Sequence, residues 1–215
     1  MRRGVRIRQT IIGILHILLL LGLSCHNTSA APILNKTMNM SYQLAVELNR
    51  SAPALLRLYL SAQGFPFSND NADMPLCRVQ VKCLPKGQLV NMEKNETLRK
   101  IHTGVKQFDL HLKNVEVQQM YMNSLKKEMH DELKNTRTQL ISLQSNLQFI
   151  LDNRGYHVPE ELECSPEHIN IPENLFDQKK QGCTILREFK RYMKQVLKSF
   201  RHLLRNAHGK AAVNP

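Results

Sequence analysis

Apolar residues along this chain recur at the three- and four-residue spacings of a helix face, with no convincing run of the alternation that a strand needs. Leu44, Leu48, Ala52, Leu55, Tyr59 and Ala62 form one stripe and predict a first helix over about Ser41–Gln63. Pro53 lies inside it and removes a backbone donor, so a kink or local break is expected there. Leu98, Ile101, Val105, Phe108 and Leu112 predict a second helix from about Lys94 to Lys113. A third, from about Asn123 to Asn153, carries Leu125, Met129 and Leu133 and then Leu140, Leu143, Leu147, Ile150 and Leu151. Leu175, Leu186, Phe189, Met193, Val196, Phe200 and Leu204 share one arc of a fourth helix, from about Leu175 to Asn206.

Loop length decides how four such helices pack. The connection at about Asn114–Met122 is short and partly helical in character, which makes helices two and three antiparallel neighbours. The first connection holds Pro66, Pro75, Pro85 and Gly87, and the last holds Gly155, Pro159, Pro166 and Pro172. Each is long enough to run the length of a helix, so helices one and two can lie parallel, and likewise three and four. The expected fold is all-α: a long-chain four-helix bundle, up-up-down-down, with two long crossover loops. Up-down-up-down with slack loops is the alternative.

The N-terminus changes the picture of where the chain works. Arg2, Arg3, Arg6 and Arg8 precede the apolar run Ile11–Leu23, and Thr28-Ser29-Ala30 supplies small residues before Ala31. A run of about 13 apolar residues is short of the roughly 20 that span a bilayer, so residues 1–30 read as a secretory signal peptide and 31–215 as one domain. The whole chain carries a net charge of +12, and loss of those four arginines leaves +8. A basic secreted protein suits acidic receptors or glycans. Cys25 leaves with the leader, and Cys77, Cys83, Cys164 and Cys183 suggest two disulfides, with three connectivities open. Zinc is disfavoured, because no Cys or His pair of compact spacing stands near another. Asn35, Asn39, Asn49 and Asn95 begin glycosylation sequons.

Helix four holds two surface features. Phe176 falls off the core arc that takes in Leu175, so Leu175 is expected in the core and Phe176 at a tip of the bundle. Asn174 and Asp177 resemble a capping box, and Lys179 lies one turn on. An aromatic at a tip beside a lysine is a candidate binding anchor; coverage by the incoming loop is the competing reading. Lys180, Arg187, Lys190, Arg191, Lys194, Lys198, Arg201 and Arg205 form a basic stripe on the same helix, with Glu188 expected to point elsewhere. Lys190, Lys194 and Lys198 are its candidate track for heparan sulfate, against the plainer reading of a solvated face.

Leu48–Phe67, LNRSAPALLRLYLSAQGFPF, together with Tyr156-His157-Val158 and the segment FDQKKQGC, resembles the leukaemia inhibitory factor-like cytokines of the interleukin-6 family. The likeness is good at both ends of the domain and loose in the middle. It implies a receptor-binding bundle with no active site. Phe176 and Lys179 take the positions of that family's Phe-x-x-Lys pair, which docks on a leukaemia inhibitory factor receptor-like chain, and Pro66 supports the same face. Gln43 and Glu47, with Gln139, Ser142 and Asn146, would meet a glycoprotein 130-like signalling chain. The resemblance also favours Cys77–Cys183, leaving Cys83 for Cys164. This chain departs from the family in lacking a cysteine pair before helix one, in Glu173 where a lysine is usual, and in Pro53. A ciliary neurotrophic factor, cardiotrophin or oncostatin type with another receptor pair is therefore an alternative.

The function expected is that of a secreted, monomeric cytokine that joins two receptor chains and so triggers Janus kinase/STAT signalling. It would have no cofactor, no nucleic-acid partner and no membrane insertion. Against an enzyme, the histidines, including His111, His130 and His157, are scattered, and no His-Glu-x-x-His, Gly-x-Ser-x-Gly or phosphate loop occurs. A basic glycan-binding helical protein that acts without a receptor is the remaining rival.

Overall fold

The computed structural model describes residues 3–68, 75–85, 89, 92–156 and 171–211. Their regular elements are α1 (Arg3–Gln63), a short 3-10 turn (Pro75–Cys77), α2 (Lys94–Met122), α3 (Lys127–Asp152) and α4 (Leu175–Ala211). No strand occurs among the described residues. α1 starts far ahead of the expected Ser41, so the segment read as a leader is helical and continuous with the first bundle helix. It also runs through Pro53 without a break. Ala52, Leu55 and Leu56 around the proline are buried, and such packing outweighs one lost backbone bond.

Named contacts set the direction of each helix. Gln63 at the end of α1 donates from Nε2 to Gln119 Oε1 near the end of α2 at 2.7 Å, so α1 and α2 are parallel. Arg137 early in α3 pairs with Asp109 at 2.9 Å and Glu116 at 2.6 Å on α2, and Arg154 beyond α3 donates to Asn95 at the start of α2 at 3.0 Å. Those two helices are therefore antiparallel. The Tyr59 hydroxyl, late in α1, donates to the Lys179 carbonyl at the start of α4 at 3.1 Å, which sets α1 and α4 antiparallel. The result is the up-up-down-down bundle, with α1 packed on α3 and α4, and α2 on the same two.

The core runs the length of the bundle. Leu48, Leu55, Leu98, Ile101, Leu112, Leu140, Leu147, Leu186 and Met193 are fully buried. Phe108 of α2 packs against Phe189 and Tyr192 of α4, with ring centroids 5.4 and 5.0 Å apart. Two glycines let α4 approach closely. A Cβ on Gly182 would lie 2.2 Å from the Tyr59 hydroxyl, and one on Gly104 would lie 2.1 Å from that of Tyr192.

Cys77 of the first crossover is bonded to Cys183 of α4 across a separation of 106 residues. In the simple chain-entropy picture a loop of that size removes about 4–5 kcal/mol of unfolded-state freedom. Cys83 is also disulfide-bonded, whereas Cys164, its expected partner, lies outside the described residues.

Candidate functional site

One end of the bundle collects the end of α1, the start of the first crossover and the start of α4. Gly64, at φ +71°, stops α1 in the left-handed conformation that favours glycine, and Ser68 N–H returns to its carbonyl at 3.0 Å. This turn delivers Pro66, half-buried, and Phe67, which is buried in the core. α4 begins opposite. Asn174 Oδ1 accepts the Asp177 N–H at 2.8 Å, as an N-cap does. The return bond differs from a capping box, because it runs from the Asn174 amide to the Asp177 carboxylate. Asp177 also pairs with Lys180, and hydrogen bonds from Lys180 and then Asn174 hold its carboxyl below the usual carboxylate range.

Phe176 sits on this scaffold with 46% of its surface exposed. One side of its ring rests on Phe67, at 5.7 Å between centroids and tilted by 58°. The Lys180 ammonium lies 5.3 Å from the ring centroid, within cation–π range. The ring is therefore propped in place and partly open to solvent, between the two readings that the sequence allowed. Leu175 corrects the expectation more sharply: it is 60% exposed rather than in the core. Phe67 closes the core at this end, so the first turn of α4 projects beyond it. A cleft of about 370 Å³ opens at the start of α4, with Val79, Val81, Lys82 and Pro172 around the Asp177–Lys180 pair.

Lys179 has a structural bond as well. Its ammonium donates to the Gln63 carbonyl at the end of α1 at 2.9 Å, where a cation meets both an unpaired carbonyl and the negative end of the helix. Burial pushes the Tyr59 phenol far up, so it stays a neutral donor to the Lys179 backbone.

The residues expected on helices one and three fall on α1 and α3, which pack together. Gln43 and Ser142 are exposed, and Glu47, Gln139 and Asn146 are half-buried. Glu47 pairs with Arg50, and Ser142 Oγ donates to the Thr138 carbonyl at 2.9 Å. Sequence reading passed over Ile141 and Phe149, which are exposed on α3. Their signal was available, since both lie out of phase with the buried Leu140, Leu143, Leu147 and Ile150. Phe67 was also missed as the support of Phe176.

The basic stripe of α4 needs redrawing. Arg187 is buried, and Glu188, expected to point elsewhere, bonds to Arg187 at 2.8 Å and Arg191 at 3.2 Å. Lys190, Lys194, Lys198, Arg201 and Arg205 are exposed. Among the sequons, Asn35 and Asn39 are exposed, while Asn49 and Asn95 are half-buried, and Asn95 accepts the bond from Arg154. Among the described residues no three His, Cys, Asp or Glu side chains form a group able to hold a metal ion, and no helix is long and apolar enough to cross a membrane.

Residues 37–200 match the family described as "LIF / OSM family". Cardiotrophin-2 of Mus musculus is 27% identical over 166 residues, which span 74% of this chain and 80% of that protein. With a match over most of its length and the bundle described above, the chain belongs to the LIF/OSM family of interleukin-6-type cytokines.

Proposed function

We propose that this cytokine is secreted and joins a leukaemia inhibitory factor receptor-like chain to a glycoprotein 130-like chain, so that Janus kinases on the two activate STAT signalling. Phe176 carries the reading: a large ring, braced by Phe67 and Lys180, that keeps nearly half its surface open. A rigid aromatic pays little conformational entropy on docking, which suits a hot spot. Lys179 and Pro66 complete this first face. Gln43, Glu47, Gln139, Ser142 and Asn146 form the second, with Phe149, close to Ser142 on the α3 wheel, adding apolar area beside it. The first face lies at a bundle end and the second along α1 and α3, so two receptor chains can bind at once.

Surface plasmon resonance on the immobilised ectodomain of the first receptor tests the assignment. Phe176→Ala removes an exposed ring, so the fold should persist, with an unchanged circular dichroism spectrum. Its affinity should fall by about 2 kcal/mol or more, roughly 30-fold. A folded variant that binds like the wild type would refute the role given to Phe176.

A further inference from the structure

The receptor reading leaves α4 from Lys190 onward unused, and the structure gives that stretch a sharper chemistry than the stripe of basic residues in the sequence. With Arg187 buried and Arg191 bound to Glu188, five exposed cations remain in line: Lys190, Lys194, Lys198, Arg201 and Arg205. Consecutive members are three or four residues apart, so they stack on one face. From Lys190 to Arg205 the helix rises about 22 Å. Among the described residues none of the five has an acidic partner.

What surrounds the track decides what it can bind. Among the described residues, the large apolar residues exposed on α4 are Leu175 and Phe176, both at the opposite end of the helix, while Leu197, Phe200 and Leu203 between the cations are buried and Leu204 is half-buried against the core. A membrane-surface helix needs exposed apolar residues to enter the headgroup layer. Protein interfaces favour aromatic residues and disfavour lysine. A straight row of lysines and arginines with no fully exposed large apolar residue beside it on the helix suits an extended, regularly charged, flexible polyanion. We infer that this track binds a linear sulfated glycosaminoglycan chain, independently of the receptor face. The two sites share α4 but Phe176 and Lys190 stand more than three turns apart along it, so a cytokine held on a matrix glycan keeps Phe176 free.

The test compares two triple variants that lose equal charge. One is Lys190→Ala/Lys194→Ala/Lys198→Ala. The other is Lys113→Ala/Lys127→Ala/Lys134→Ala, at exposed lysines on α2 and α3. Alanine is the best helix former, so both should fold, as circular dichroism can verify. On a sulfopropyl column, which reads net charge, both should elute earlier than the wild type by similar amounts. On heparin-agarose the α4 variant should elute at much lower salt and the control near the wild type. The slope of log affinity against log salt should fall by about two to three for the α4 variant, by analogy with counterion release from other polyanions. Soluble heparin should displace the wild type, and desulfated heparin should not. Equal shifts of the two variants on heparin, or equal competition by desulfated heparin, would overturn the inference. So would preferential retention on phosphatidylserine vesicles over heparin. Phe176→Ala should keep full heparin retention, so failure of the glycan site and failure of the receptor reading are separable.

Discussion

At the scale of single residues, the bundle end is built by contacts in which one group serves two purposes. The Lys179 carbonyl receives the Tyr59 hydroxyl, while the Lys179 ammonium closes the end of α1. Both depend on α4 lying close to α1, which Gly182 permits. Gly182→Ala would drive a Cβ into the Tyr59 ring, at a cost of about 1–3 kcal/mol for overpacking, offset in part by about 1 kcal/mol of helix propensity. A lower urea midpoint is expected, and Tyr59→Phe in the same chain should restore part of it, because the closest atom is the hydroxyl oxygen. The reference is Tyr59→Phe alone, which also loses the bond to the Lys179 carbonyl: if Gly182→Ala costs as much in that background as in the wild type, the hydroxyl contact is not the cause. Phe176 was legible in the sequence because it lies off the core arc. Leu175 was misread because a helical wheel says which side a residue faces but not where the core ends along the axis. The role of Gly182 was hidden, since the residue it accommodates lies over 100 positions away.

At the scale of elements, periodicity located all four helices and misjudged their ends. α2 continues past Lys113 to Met122 because Val115 and Gln119 stay buried in register with Leu112. A glutamine at a core position breaks the apolar signal; its amide oxygen is satisfied there by Gln63 and Asn123. The same helix buries His102 and His111. Burial pushes both imidazoles below their ordinary value; the Lys106 charge adds to this at His102, and a hydrogen bond with the Cys83 backbone opposes it at His111. In the unfolded chain both titrate near about 6.5. Below that value the unfolded state binds more protons than the folded one, so stability is lost as pH falls. The urea midpoint should drop between about pH 7 and pH 5, and a His102→Gln/His111→Gln variant should show a flatter profile over this window. An equally steep profile in the variant would assign the pH dependence to other groups.

At the scale of the whole molecule, loop length was enough to order the helices, because a short connection forces antiparallel neighbours and two long ones permit parallel pairs. The hydrogen bonds from Gln63 to Gln119 and from Tyr59 to Lys179 fix the same order in space. The electrostatics were less legible. Counting charges on a wheel placed Arg187 and Arg191 in the basic stripe, but Arg187 is buried and Glu188 pairs with both, and a wheel does not show which neighbour a flexible side chain chooses. The central claim is that two separate faces each recruit one receptor chain. The most direct test mixes the cytokine with both receptor ectodomains and weighs the complexes by multi-angle light scattering. The wild type should give a complex containing both chains. Phe176→Ala should retain the glycoprotein 130-like chain alone, and Gln43→Ala/Gln139→Ala/Asn146→Ala the leukaemia inhibitory factor receptor-like chain alone. If both variants lost the same chain, or if Phe176→Ala still assembled the full complex, the two-face account would be wrong.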